Sequence, residues 1–134
     1  MTVTVVVIED EPATRDLIVD YLTRRGNRVT ACGTLAEAAR ALRTLQPDVV
    51  VSDVGLPDGN GATFCLENVR HLPRARWLIM SAESDMLRHT RILVMRPDAP
   101  PFSVVDKPIP LRALDAVIRQ AMFAVPPMRS SAAD

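Results

Sequence analysis

The chain has 134 residues, 48% apolar and 24% charged, and its 16 basic and 16 acidic side chains cancel. One domain of that length buries about two thirds of its unfolded surface and needs no staples. A neutral balance with no basic block argues against nucleic acid as a partner, and the lack of any run of about 18 apolar residues argues against a membrane span.

The chain opens on Met1 and Thr2, and Val3 to Ile8 is nearly all β-branched, which suits a strand buried on both faces. Glu9, Asp10 and Glu11 follow, where a signal peptide would want positive charge and a longer apolar stretch, so a cytoplasmic protein is expected. Pro12 opens a helix whose apolar residues are Leu17, Ile18, Tyr21 and Leu22, closed by Arg24, Arg25 and Gly26. Asn27 to Ala31 reads as a second strand. Thr34 and Glu37 form a capping-box pair ahead of a helical face of Leu35, Ala38, Ala39 and Leu42. Val49 to Asp53 is a third strand that ends on a carboxylate. Gly55 to Gly61 carries Asp-Gly and Asn-Gly pairs, strong turn chemistry.

Ala62, Cys65, Leu66 and Val69 give a third helical face, and Trp77 to Met80 a fourth strand that ends at Ser81. A further helix is expected from Ser84 to about Met95, before the proline-rich breaker at residues 96–101. Phe102 to Asp106 is the fifth strand, followed by Lys107. Pro110 sits at the start of a last helix faced by Leu114, Val117, Ile118, Ala121 and Met122. Residues 124–134 read as a flexible tail beyond a domain spanning 1–123. Cys32 and Cys65 lack zinc or redox spacing and read as small buried hydrophobes. His71 and His89 are isolated, and Trp77 reads as packing.

Five alternations of strand and helix predict an α/β fold: a doubly wound, five-stranded parallel sheet with helices on both faces. Order 2-1-3-4-5, the flavodoxin-like arrangement, suits this length. In such sheets ligands bind beyond the carboxyl ends of the strands. Those ends here carry Glu9 and Asp10, Asp53, Ser81 and Lys107. Taken singly, each has a plain reading as a helix cap or a solvated charge. Together, three acids converging on one crevice would repel one another, and a divalent cation held by oxygen ligands removes the conflict, which is magnesium chemistry. A carboxylate nucleophile, a metal, an ammonium and a hydroxyl form a set suited to phosphoryl transfer, with Asp53 the central nucleophile.

Four segments carry a resemblance. They are Val-Val-Val-Ile-Glu-Asp-Glu-Pro at 5–12, Val-Val-Val-Ser-Asp-Val-Gly-Leu-Pro-Asp-Gly-Asn-Gly at 49–61, Leu-Ile-Met-Ser-Ala at 78–82 and Val-Val-Asp-Lys-Pro at 104–108. In this order they resemble the receiver domain of bacterial two-component response regulators, over about residues 3–123. The resemblance implies that Asp53 is phosphorylated by a sensor histidine kinase or a histidine phosphotransfer protein. It implies that Glu9, Asp10, Asp53 and the Gly55 backbone carbonyl hold Mg2+, that Ser81 is the switch hydroxyl, and that Lys107 binds the phosphoryl group. It also implies a cis Lys107–Pro108 peptide. Glu9 stands where aspartate is commoner, and Val104 stands where the family carries its switch aromatic.

The expected function is a signalling switch rather than an enzyme: a single-domain response regulator acting on an unidentified downstream protein. A homodimer stays open. A receiver fragment of a larger protein and a scaffold that works without phosphate are the alternatives. An aspartate-based phosphohydrolase would want Asp-x-Asp after the first strand, where this chain has Glu9-Asp10-Glu11. A flavin module would want a Ser/Thr/Gly-rich phosphate loop at the same place.

Overall fold

The computed structural model describes residues 2–68, 70–81, 102–107 and 110–123. The expected helix at 84–95, the cis Lys107–Pro108 bond, His89 and the tail at 124–134 lie outside them, as do the side chains of 102–106, Val117 and 121–123. In chain order the elements are β1 (Thr4–Ile8), α1 (Pro12–Arg24), β2 (Arg28–Cys32), α2 (Leu35–Ala41), β3 (Val49–Asp53), β4 (Gly55–Leu56), β5 (Gly59–Asn60), α3 (Gly61–Glu67), β6 (Arg76–Ser81), β7 (Phe102–Asp106) and α4 (Leu111–Phe123).

Five strands form one parallel sheet in the order β2-β1-β3-β6-β7. This is the expected 2-1-3-4-5 winding once β4 and β5 are set aside. Those two pair antiparallel in a small ribbon, Gly55 with Asn60 and Leu56 with Gly59. The ribbon stands where the sequence suggested only a loop, because strands of two residues are too short to carry a period.

The period of two along each strand splits the core. Val6, Ile8, Val50, Trp77 and Ile79 pack with Cys32, Ala38, Ala62, Phe64 and Cys65 beneath α2 and α3. Val5, Val7, Val49, Val51, Leu78 and Met80 pack with Ile18 and Leu22 of α1 and Leu114 and Ile118 of α4. The strands β1, β3 and β6 are buried on both faces because each face is covered. Phe64 meets Trp77 edge-on at 6.1 Å between ring centroids. Both cysteines are buried, and burial pushes the Cys65 thiol up to about 12.

The helix ends differ from expectation in instructive ways. Leu17, expected on the apolar face of α1, is 61% exposed, because Ile18 and Leu22 already occupy the centre of the buried stripe. The cap of α1 is Glu11, whose Oε1 accepts from the Thr14 N–H at 2.7 Å and the Thr14 hydroxyl at 2.8 Å. α1 closes in a Schellman motif: Gly26, at φ 93°, donates to the Thr23 carbonyl and Asn27 to that of Leu22. Asn27 is thereby used in capping, and its Nδ2 also donates to the Leu22 carbonyl at 2.9 Å, so β2 begins one residue later than expected. At α2, Thr34 Oγ1 accepts from the Glu37 N–H at 3.1 Å, but Glu37 Oε1 reaches back to the N–H of Gly33 rather than of Thr34. No helix among the described residues is long and apolar enough to cross a membrane.

Candidate functional site

The sheet delivers three acids to one point. β1 and β3 are hydrogen-bonded neighbours, with Ile8 opposite Ser52. The residues that follow Ile8 therefore lie beside Asp53. One carboxylate oxygen each from Glu9, Asp10 and Asp53 falls within 4.8 Å of the other two. Glu9 is fully buried, Asp53 is 9% exposed and Asp10 is exposed. The cluster thus has a dry floor and an open mouth.

Lys107 answers two of these charges at once. Its Nζ donates to Asp53 Oδ2 at 2.7 Å and to Glu9 Oε1 at 2.9 Å. Burial works against its charge, but the hydrogen bonds to Asp53 and then Glu9 outweigh burial and hold the ammonium above its ordinary value. The backbone places Lys107: β7 pairs with β6, and the Lys107 N–H donates to the Ser81 carbonyl at 2.8 Å. Glu9 Oε2 accepts from the Glu11 N–H at 3.1 Å, so both oxygens of the buried acid are engaged.

Ser81 is 2% exposed and follows Met80, the partner of Asp53 in the β3–β6 register. Val104 pairs with Ile79 through the backbone. Gly55 lies two residues past Asp53 on the exposed start of the ribbon, where an added Cβ would meet nothing within 4 Å. Gly61 is the opposite case. Its N–H donates to the Val54 carbonyl at 2.8 Å. A Cβ there would drive into the Asp53 carbonyl oxygen and lie 2.7 Å from Ser52 Oγ. The absent side chain is what lets α3 start directly against the end of β3.

Three residues around the site were not singled out in the sequence. Arg15 Nη1 donates to the Glu9 carbonyl at 3.1 Å. Asp58, read as a turn residue, accepts from the N–H groups of Leu35 at 2.9 Å and Ala36 at 3.0 Å. Asn60 caps α3, its Oδ1 accepting from Ala62 and Thr63. An Asx residue before a helix is a familiar cap signal, so Asn60 could have been found. Asp58 acts across 22 and 23 residues of chain, and Arg15 reaches back six residues to a backbone carbonyl; neither has a local signature.

Known proteins bear on this arrangement. The response regulator receiver domain family matches residues 5–119. The chain belongs to that family. Receiver domains are signalling switches, and this one has the α/β fold expected of them. The transcriptional regulatory protein KdpE of Mycobacterium tuberculosis is 35% identical over 118 residues, 88% of this chain and 50% of the relative. KdpE of Escherichia coli is 30% identical over 118 residues, again half of that protein. The DNA-binding transcriptional regulator NtrC of Azospirillum brasilense is 27% identical over 98% of this chain and 26% of its own length. This receiver thus spans half or less of these relatives. Among solved structures, a CheY-like receiver domain protein from Methanospirillum hungatei superposes with a TM-score of 0.79 at 15% identity, covering 91% of this chain and 94% of that one. The non-phosphorylated HemR receiver domain from Leptospira biflexa gives 0.75 at 21% identity, covering 92% and 97%.

Proposed function

We propose that this receiver accepts a phosphoryl group on Asp53 from the phosphohistidine of a sensor kinase or a histidine phosphotransfer protein in the cytoplasm. The observation that carries this is the convergence of Glu9, Asp10 and Asp53 within 4.8 Å, with Lys107 bonded to two of them. Hard carboxylate oxygens fit Mg2+, and the Gly55 carbonyl is the further ligand in this reading. When bound, the ion supplies positive charge against the equatorial oxygens of the transferring group.

The chain's own residues do the rest. A carboxylate oxygen of Asp53 forms the new P–O bond as the donor's P–N bond breaks, and the electron pair leaves on the imidazole nitrogen, which takes a proton. Lys107 already points at the nucleophile from 2.7 Å, so its ammonium meets the charge brought by the incoming phosphoryl oxygens. The Ser81 hydroxyl is the donor that closes on the phosphorylated form. Position 104 holds Val where a switch aromatic is usual, so the response on β7 depends on a smaller side chain.

Incubation with magnesium and acetyl phosphate, followed by intact mass, tests the proposal. One phosphoryl group is expected on the wild type, and none in Asp53→Asn or without magnesium. A folded wild type that gains no mass would move the reading to a scaffold that works without phosphate. A second reading concerns the output. Half or less of each relative is covered, which favours a receiver that serves a longer regulator over one that acts alone on a downstream protein. Two of the relatives are described as DNA-binding regulators; this domain, with no net charge, would supply the switch and not the DNA contact.

A further inference from the structure

We infer that Asp58 is a positioning residue of the metal site: by gripping the start of α2 it fixes the ribbon that carries the Gly55 carbonyl. The inference rests on the proposed role of Gly55 as a metal ligand. Gly55 has no side chain to anchor it, and even an added Cβ would meet nothing within 4 Å. Its carbonyl is placed from both sides, by Val54, whose N–H donates to the Met80 carbonyl at 2.9 Å, and by the ribbon beyond. A two-stranded ribbon of two residues a side does not hold itself together in water.

The base of the ribbon is tied where the Gly61 N–H meets the Val54 carbonyl and Asn60 caps α3. The tip is tied by Asp58. Its Oδ1 accepts from Leu35 at 2.9 Å and its Oδ2 from Ala36 at 3.0 Å. Two bonds to two successive amides fix the carboxylate in rotation as well as position. The far end of that grip does not move freely, because α2 is seated by Ala38, which is fully buried. Leu35 Cδ1 also lies against Gly59, 2.8 Å from where a Cβ would sit. The same turn of α2 therefore holds the ribbon by a polar and an apolar contact. Asp58 touches no group of the proposed metal site, and its effect is on where Gly55 can be.

Magnesium titration by calorimetry tests this on wild type, Asp58→Ala, Asp58→Asn and Thr34→Ala. The Kd is expected to rise about tenfold in Asp58→Ala, as when a supporting shell is removed. A smaller rise is expected in Asp58→Asn, which keeps one acceptor oxygen. Thr34→Ala loses the cap of α2 but leaves Asp58 in place, and its Kd should match wild type. Binding and protection are reciprocally linked, so magnesium should slow amide exchange at Leu35 and Ala36 in wild type. A folded Asp58→Ala or Asp58→Asn that binds magnesium as tightly as wild type overturns the inference. So does a Thr34→Ala weakened as much as Asp58→Ala, since the effect would then be that of α2 stability. A wild type that binds no magnesium fails at the proposed site itself, a distinct outcome that removes the inference with it.

Discussion

At the scale of single residues, the site is a balance of charges held in little water. Lys107 is the compensating cation for Glu9 and Asp53, and its side chain is 23% exposed. Lys107→Met would leave two acids facing each other with nothing between them. We expect a loss of about 2–3 kcal/mol, at or below the low end for a fully buried pair because the ammonium is partly solvated. Urea midpoints at neutral pH would measure it, and added magnesium should restore part of the loss. Gly61 makes a separate demand. Gly61→Ala should cost about 2 kcal/mol or more, as overpacking against backbone does, whereas Gly55→Ala should leave the midpoint nearly unchanged. Asp53, Glu9, Asp10, Ser81 and Lys107 were legible in the sequence because each closes a recognisable strand. The direct bonds from Lys107 to both Glu9 and Asp53 were not, since a spacing of 98 residues says nothing about distance.

At the scale of elements, two helices begin on carboxylates borrowed from outside the usual cap position or the usual cap residue. Glu11 caps α1 through Thr14, and Asp58 caps α2 from the ribbon through Leu35 and Ala36. In each the backbone hydrogen bonds hold the carboxyl below its ordinary value. A depressed carboxyl contributes stability above its unfolded value, and that contribution is lost as pH falls through the lower folded value. Both helix starts should therefore loosen below about pH 4. Amide exchange at Thr14, Leu35 and Ala36, compared between pH 7 and pH 3, would report it; equal protection at both would contradict these caps. Pro12 announced the start of α1, but glutamate is not a favoured cap, so Glu11 was passed over. Leu17 was misassigned because spacing identifies a stripe and not its edges, and the edges are decided by what packs opposite.

At the scale of the whole molecule, the doubly wound parallel sheet was legible because five apolar runs alternate with helical faces, while its order was the winding already known for sheets of this class and not one the runs dictate. The division of the core was implicit in the same runs, since residues two apart share a face. The single tryptophan, Trp77, sits fully buried in β6 against Phe64, so its emission should shift to the red when the sheet opens. We expect that transition to coincide with loss of far-ultraviolet dichroism in urea, as a two-state domain requires. Separate midpoints would mean that one face of the sheet opens before the other.

The bond between Lys107 and Asp53 has a consequence in time. In the sheet, β6 stands between β3 and β7, and the lysine reaches across it to partners made 54 and 98 residues earlier. A chain leaving the ribosome carries all three acids of the site long before it carries their counter-charge. Until β7 docks, those acids lack the ammonium that joins two of them. Among the described strands of the sheet, β7 is made last, and it brings Lys107 with it.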